Sequence, residues 1–146
     1  MKTIVITSGY FNPIHPGHIE CLELCKDLGD ELRVIVNNDE QVKAKTGKDE
    51  PFQNEIFRMK IASSLKVVDT VILSVDTDGS VCESIKHITK LIKDKYGNDT
   101  KIIFGKGGDR FSGNIPEVQV CKDLNITIKD GLGAKIHNSS DYRAKA

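Results

Sequence analysis

Short apolar runs rich in β-branched residues alternate with helical patterns along the chain, and that alternation leaves few folds open. Thr3 to Thr7, Leu32 to Val36, Thr70 to Val75 and Lys101 to Phe104 are such runs, with Asn125 to Lys129 a weaker fifth. Continuous runs of this kind suit strands buried on both faces, as in a parallel sheet. Between them, Ile19, Leu22 and Leu24 mark one helix ending near Gly29, and Ile56, Met59, Ile61 and Leu65 mark a second. Ile85, Ile88, Leu91, Ile92 and Tyr96 follow the helical period and stop at Gly97-Asn98, while Val118, Cys121 and Leu124 follow Pro116. A short last helix is expected from Ser139 onward. Strands alternating with helices predict one α/β domain over residues 1–146, a doubly wound five-stranded parallel sheet with helices on both faces. In such sheets ligands bind beyond the carboxyl ends of the strands, where the strand order reverses.

Composition narrows the function classes. The 146 residues suit one domain, and 21 Lys+Arg balance 21 Asp+Glu. Zero net charge gives no argument for a nucleic-acid or membrane partner. No stretch approaches the roughly 18 apolar residues of a membrane span, and the first residues lack a signal-peptide core, so a cytoplasmic location is expected. Cys21, Cys25, Cys82 and Cys121 include no C-x-x-C pair. Core packing in the reduced state is the expected role, with redox sensing the alternative.

The loop after the first strand holds the densest chemistry. It reads Gly9-Tyr10-Phe11-Asn12-Pro13-Ile14-His15-Pro16-Gly17-His18. A helix beginning here would present free N–H groups and partial positive charge to a phosphate. Gly17 would leave room for the ligand, and two imidazoles would add hydrogen bonds. Histidines in loops are also ordinary surface residues. A spacing of three also suits zinc, but no third ligand lies nearby.

This stretch resembles the G-x-F-D/N-x-x-H-x-G-H signature of the cytidylyltransferase-like nucleotidyltransferases. That family includes glycerol-3-phosphate cytidylyltransferase, heptose-1-phosphate adenylyltransferase, archaeal FAD synthetase and pantetheine-phosphate adenylyltransferase. The resemblance implies a Rossmann-like domain. It implies that His15 and His18 contact the triphosphate and stabilise the transition state, with Gly9, Tyr10, Phe11, Asn12 and Gly17 around the nucleotide.

Further segments fit the same family. Asn37-Asn38-Asp39 is similar to its N-x-D turn. Val42 to Pro51, with Lys43, Lys45 and Lys48 around Gly47, looks like its mobile Lys-Gly loop, with Lys45 favoured as the catalytic lysine. A lysine-rich loop is otherwise solvated surface. Glu55 and Arg58 resemble an acid–arginine pair, and Arg58 is expected to grip the second substrate's phosphate. Asp76 to Glu83 reads as a turn and helix cap. Gly105-Lys106-Gly107-Gly108-Asp109-Arg110 looks like the Gly-Gly-Asp segment of the heptose-phosphate adenylyltransferases, and Asn114-Ile115-Pro116-Glu117 fits that subgroup too. Asp109 and Arg110 become second-substrate candidates; a plain tight turn is the alternative. Lys135-Ile136-His137-Asn138-Ser139-Ser140 resembles the second family signature, placing Lys135, Asn138, Ser139 and Ser140 on the nucleotide. Many cytidylyltransferases carry an arginine upstream of that signature, where this chain has Gly133-Ala134-Lys135.

The resemblance implies nucleotidyl transfer, with Mg2+, from a nucleoside triphosphate to a phosphorylated small molecule. ATP with a sugar 1-phosphate comes first. CTP with glycerol 3-phosphate or another alditol phosphate, FMN adenylation, and a non-catalytic nucleotide-binding module are the alternatives. A homodimer is expected from the family, and no protein-held metal site is read from the sequence.

Overall fold

A computed structural model describes residues 1–107 and 115–133. The strands are β1 (Thr3–Gly9), β2 (Glu31–Val36), β3 (Thr70–Leu73), β4 (Lys101–Gly107) and β5 (Thr127–Leu132). The helices are α1 (Pro16–Lys26), α2 (Asp39–Thr46), α3 (Glu55–Ser63), α4 (Cys82–Tyr96) and α5 (Glu117–Asp123). The strands form one sheet in the order β3-β2-β1-β4-β5, with every pairing parallel. The chain winds outward from β1 to β3, then crosses back to β4 on the other side of β1. The order therefore reverses between β1 and β4, which opens a crevice at their carboxyl ends. Thr7 Oγ1 donates 2.8 Å to the Gly105 carbonyl across that junction.

Strand alternation divides the core between two faces. Ile4 and Ile6 of β1 pack with Ile85, Ile88 and Ile92 of α4 and Cys121 of α5. Val5, between them, points the other way, onto Leu22 and Cys25 of α1 and Ala62 of α3. Helices thus cover both faces, as the alternation of apolar runs predicts. Among the described residues no helix is long and apolar enough to cross a membrane.

Two of the departures from expectation have a clear local cause. The segment expected as a Lys-Gly loop is helical over its first half. Asn38 caps α2 by accepting from Gln41 N, and the Gln41 side chain accepts from Asn38 N in return. Asp39 and Glu40 open the helix and Lys43 and Lys45 close it, each complementing the dipole at its end. Gly47 ends it at φ +72°, the left-handed conformation that glycine takes without strain. The fifth strand starts later than its apolar run, because Asn125 turns the chain at φ +58°. The final helix expected from Ser139 lies outside the described residues.

Candidate active site at the β1 to α1 turn

β1 runs out at Gly9, and the next six residues carry the chain into α1. Phe11 takes φ +50° and buries its ring in the core beneath α1, where it meets the His18 ring edge-on at 5.1 Å. A Cβ on Gly9 would stand 2.6 Å from the Phe11 ring, so glycine is needed there to admit the phenyl group. Phe11 was expected around the nucleotide. Its burial makes it a support for His18, and it gives Gly9 a packing reason. Asn12 is also buried, with its Oδ1 accepting 2.9 Å from Gln53 N.

The two histidines cap α1 between them. His15, the residue before the helix, accepts 3.1 Å from Gly17 N at its Nδ1. Its own backbone N–H donates 3.2 Å to His18 Nδ1. The rings stack with centroids 3.7 Å apart and planes 24° from parallel. Because each Nδ1 is an acceptor, each neutral imidazole carries its proton on Nε2, at the opposite side of the ring. Burial, then the charges of His15 and Lys45, lower the His18 pKa from 6.5 to about 3. His18 is therefore a neutral donor at physiological pH.

This arrangement corrects the expectation of open backbone N–H groups at the helix start. Pro16 has none, Gly17 gives its own to His15, and His18 and Ile19 donate to the His15 carbonyl. The backbone donors of this turn are therefore spent within the turn itself.

α2 brings Lys45 to the same place. Its Nζ lies 4.0 Å from the centre of the Tyr10 ring, a cation–π contact, and its charge reaches His18. Lys43 instead pairs with Glu40 at 3.2 Å along the helix. Lys48 lines a cleft of about 230 Å³ with Asn12, Thr46, Glu50 and Phe52, beside the histidine turn.

Arg58 is placed differently from expectation. Its side chain is fully buried. Nε donates 2.8 Å to the Gln53 carbonyl, and Nη1 donates to the carbonyls of Tyr10 and Asn37 at 2.8 and 2.6 Å. Nη2 pairs at 2.8 Å with Asp39, whose backbone N–H in turn donates to Glu55. A guanidinium engaged on all three nitrogens and closed to solvent is a brace rather than a grip for phosphate. It ties the Asn37-Asn38-Asp39 turn, the histidine turn and the start of α3 into one unit. Sequence spacing separates these motifs, so Gln53 carried no signal of its role. Asn38 and Gln41 did show the capping-box spacing.

Asp76 acts as the cap that its sequence suggested, accepting from Glu83 N and Ser84 N at the start of α4. Asp109, Arg110, Lys135, Asn138, Ser139 and Ser140 lie outside the described residues.

The profile of the family described as Cytidylyltransferase-like matches residues 6–128. The bifunctional protein HldE of Coxiella burnetii is 36% identical over 133 residues, which cover 90% of this chain and 26% of that protein. The bifunctional protein HldE of Desulfatibacillum aliphaticivorans is 38% identical over 139 residues, covering 90% and 28%. The chain thus spans about a quarter of the length of these relatives. Among solved structures, the lipopolysaccharide core biosynthesis protein from Thermoplasma volcanium GSS1 superposes with a TM-score of 0.64 at 28% identity, over 90% of this chain and 95% of that one. A bifunctional NMN adenylyltransferase/ADP ribose pyrophosphatase from Francisella tularensis, complexed with AMP and a manganese ion, reaches 0.61 at 15% identity over 99% of this chain and 41% of that one, a likeness of fold. With the paired histidines at the sheet's crossing point and a family match across most of its length, the chain belongs to the cytidylyltransferase-like family of nucleotidyltransferases.

Proposed function

We propose that the chain transfers the adenylyl group of ATP to a sugar 1-phosphate and releases pyrophosphate. The observation that carries this reading is the reciprocal cap of His15 and His18 at one helix start, which leaves His18 neutral with its proton on Nε2. The acceptor's phosphate oxygen attacks the α-phosphorus, the bond to the bridging oxygen breaks, and pyrophosphate leaves. No protein nucleophile is required, because a phosphate monoester is already ionised near pH 7. The imidazoles and Lys45 stabilise charge that builds on the transferred and leaving oxygens. A neutral His18 serves this purpose without repelling Lys45.

The choice of ATP and a sugar phosphate rests on likeness. The Gly-Gly-Asp and Asn-Ile-Pro-Glu segments resemble the heptose-phosphate adenylyltransferases, and the relatives named above point the same way. Beside the histidine turn, the cleft lined by Lys48, Glu50 and Phe52 offers space for an acceptor. Mg2+ belongs to the same reading. Among the described residues no three His, Cys, Asp or Glu converge to hold a metal. The ion would be held by the triphosphate, whose oxygens suit a hard cation, and would neutralise part of its charge. A homodimer in the cytoplasm completes the proposal.

Pyrophosphate release tests it, with ATP, CTP, GTP and UTP each crossed against sugar, alditol and flavin phosphates. We expect release with ATP and a sugar 1-phosphate, reduced on the order of 10²–10³-fold by His18→Ala, as for loss of one preorganised donor. Release only with CTP and an alditol phosphate would reassign both substrates. Near-normal turnover by a folded His18→Ala variant would remove the histidine from the mechanism.

A further inference from the structure

The family signature fixes Gly9 and Phe11 but leaves the residue between them open, and this chain places Tyr10 there. The backbone around Tyr10 is held on both sides. The Gly9 carbonyl accepts 3.0 Å from Asn37 N, and the Tyr10 carbonyl accepts 2.8 Å from the buried Arg58. The next ring, that of Phe11, is packed in the core. Tyr10 itself is half-buried, so its ring rises from a fixed base.

Lys45 approaches that ring from the last turn of α2, with its Nζ 4.0 Å from the ring centre. α2 is fixed in turn, because Asn38 and Gln41 donate to carbonyls of the segment after β3. Both sides of the contact are therefore anchored by hydrogen bonds deeper in the fold. The other two lysines of this segment are placed otherwise: Lys43 pairs with Glu40, and Lys48 lines the cleft.

We propose that Tyr10 is a positioning residue, whose ring face holds the Lys45 ammonium beside the histidine turn so that it meets the triphosphate already oriented. This rests on the reading that Lys45 serves the triphosphate. An exposed lysine samples many rotamers, and fixing it on a phosphate costs that freedom. The ring has already limited it. A ring face takes one side of an ammonium, and the N–H groups turned away from it remain for phosphate oxygens. The lysine therefore keeps the ring when the nucleotide binds, and the contact lowers the cost of binding instead of competing with it. The charge of Lys45 also acts on His18, after burial and His15, which agrees with an ammonium held close to the imidazoles.

The test combines NMR of the ligand-free chain with calorimetric titration of ATP and of CTP, each with Mg2+. Ring current should move the Lys45 ε-CH2 protons upfield. That shift should persist in Tyr10→Phe and vanish in Tyr10→Leu. Tyr10→Leu should bind the triphosphate about two- to fivefold more weakly, the fold-change of one exposed cation–π contact. Tyr10→Phe should recover most of the affinity, because the ring face and not the hydroxyl holds the lysine. In a Lys45→Met background, Tyr10→Leu should cause no further loss, since the ring acts only through the lysine. An equal loss in both backgrounds would make Tyr10 a direct nucleotide contact or a general support of the fold, and would overturn the proposal. So would an absent upfield shift in the wild type, or unchanged affinity in Tyr10→Leu. Wild-type protein that binds a triphosphate but releases no pyrophosphate would count against the proposed function, and the binding cycle would still decide the role of Tyr10. Wild-type protein that binds neither triphosphate would overturn both.

Discussion

His18 is held neutral by its surroundings, and that has a consequence for pH. Its folded pKa is near 3, against 6.5 for the free side chain. Between those values the unfolded chain binds a proton that the folded chain does not. Stability from this group is complete above about pH 6.5 and is lost as pH falls toward 3, to a total on the order of a few kcal/mol. Urea unfolding at a series of pH values should show that decline, and His18→Gln should flatten it. An NMR titration of the ligand-free protein should show no His18 step between pH 5 and 8. A step near 6.5 would mean that the ring is not buried as described. At the same scale, Gly9→Ala should destabilise by roughly 1–3 kcal/mol, because the added methyl collides with the Phe11 ring. Denaturant midpoints would measure it, and a shift within error would show that the turn yields easily.

Helix α2 shows how one element converts a surface sequence into part of a site. Three lysines around a glycine resemble the family's mobile loop, and on their own they read as solvated surface. The Asn38–Gln41 cap reverses that reading by satisfying the first N–H groups. Asn38 Nδ2 also donates to the carbonyls of Ser74 and Asp76, and Gln41 Nε2 donates to those of Asp78 and Ser80. The cap thereby fixes α2 to the loop after β3. The helix in turn fixes Lys45 over Tyr10. Asn38→Ala should cost about 0.5–2 kcal/mol for the cap alone. It should also raise the KM for the triphosphate, since Lys45 would no longer be held in place. Circular dichroism and steady-state kinetics on one preparation would check both effects. Loss of stability with KM unchanged would separate the cap from the site. The cap spacing was legible in the sequence; the partners of Asn38 and Gln41 across the loop after β3 were not.

Arg58 acts at the scale of the whole molecule, because four of its hydrogen bonds reach three separate segments. Arg58→Ala would strand the Asp39 carboxylate and three carbonyl oxygens, at roughly 3–5 kcal/mol if the pair behaves as a buried one. Urea denaturation should show this together with a raised KM, because the Tyr10 backbone is one of the groups released. A variant of near-normal stability would mean that water replaces the guanidinium. The sequence alone determined the alternation of strand and helix, hence the parallel sheet covered on both faces, because buried apolar runs and the helical period are local patterns. It also determined that two histidines stand at the entry to the first helix. Only the tertiary structure decided what those residues do. Whether an imidazole donates from Nε2, whether a lysine reaches a tyrosine ring, and whether an arginine meets solvent or three carbonyls all depend on which distant segments fold against them. Those partners lie as many as 48 residues apart in the chain, beyond the reach of any spacing rule.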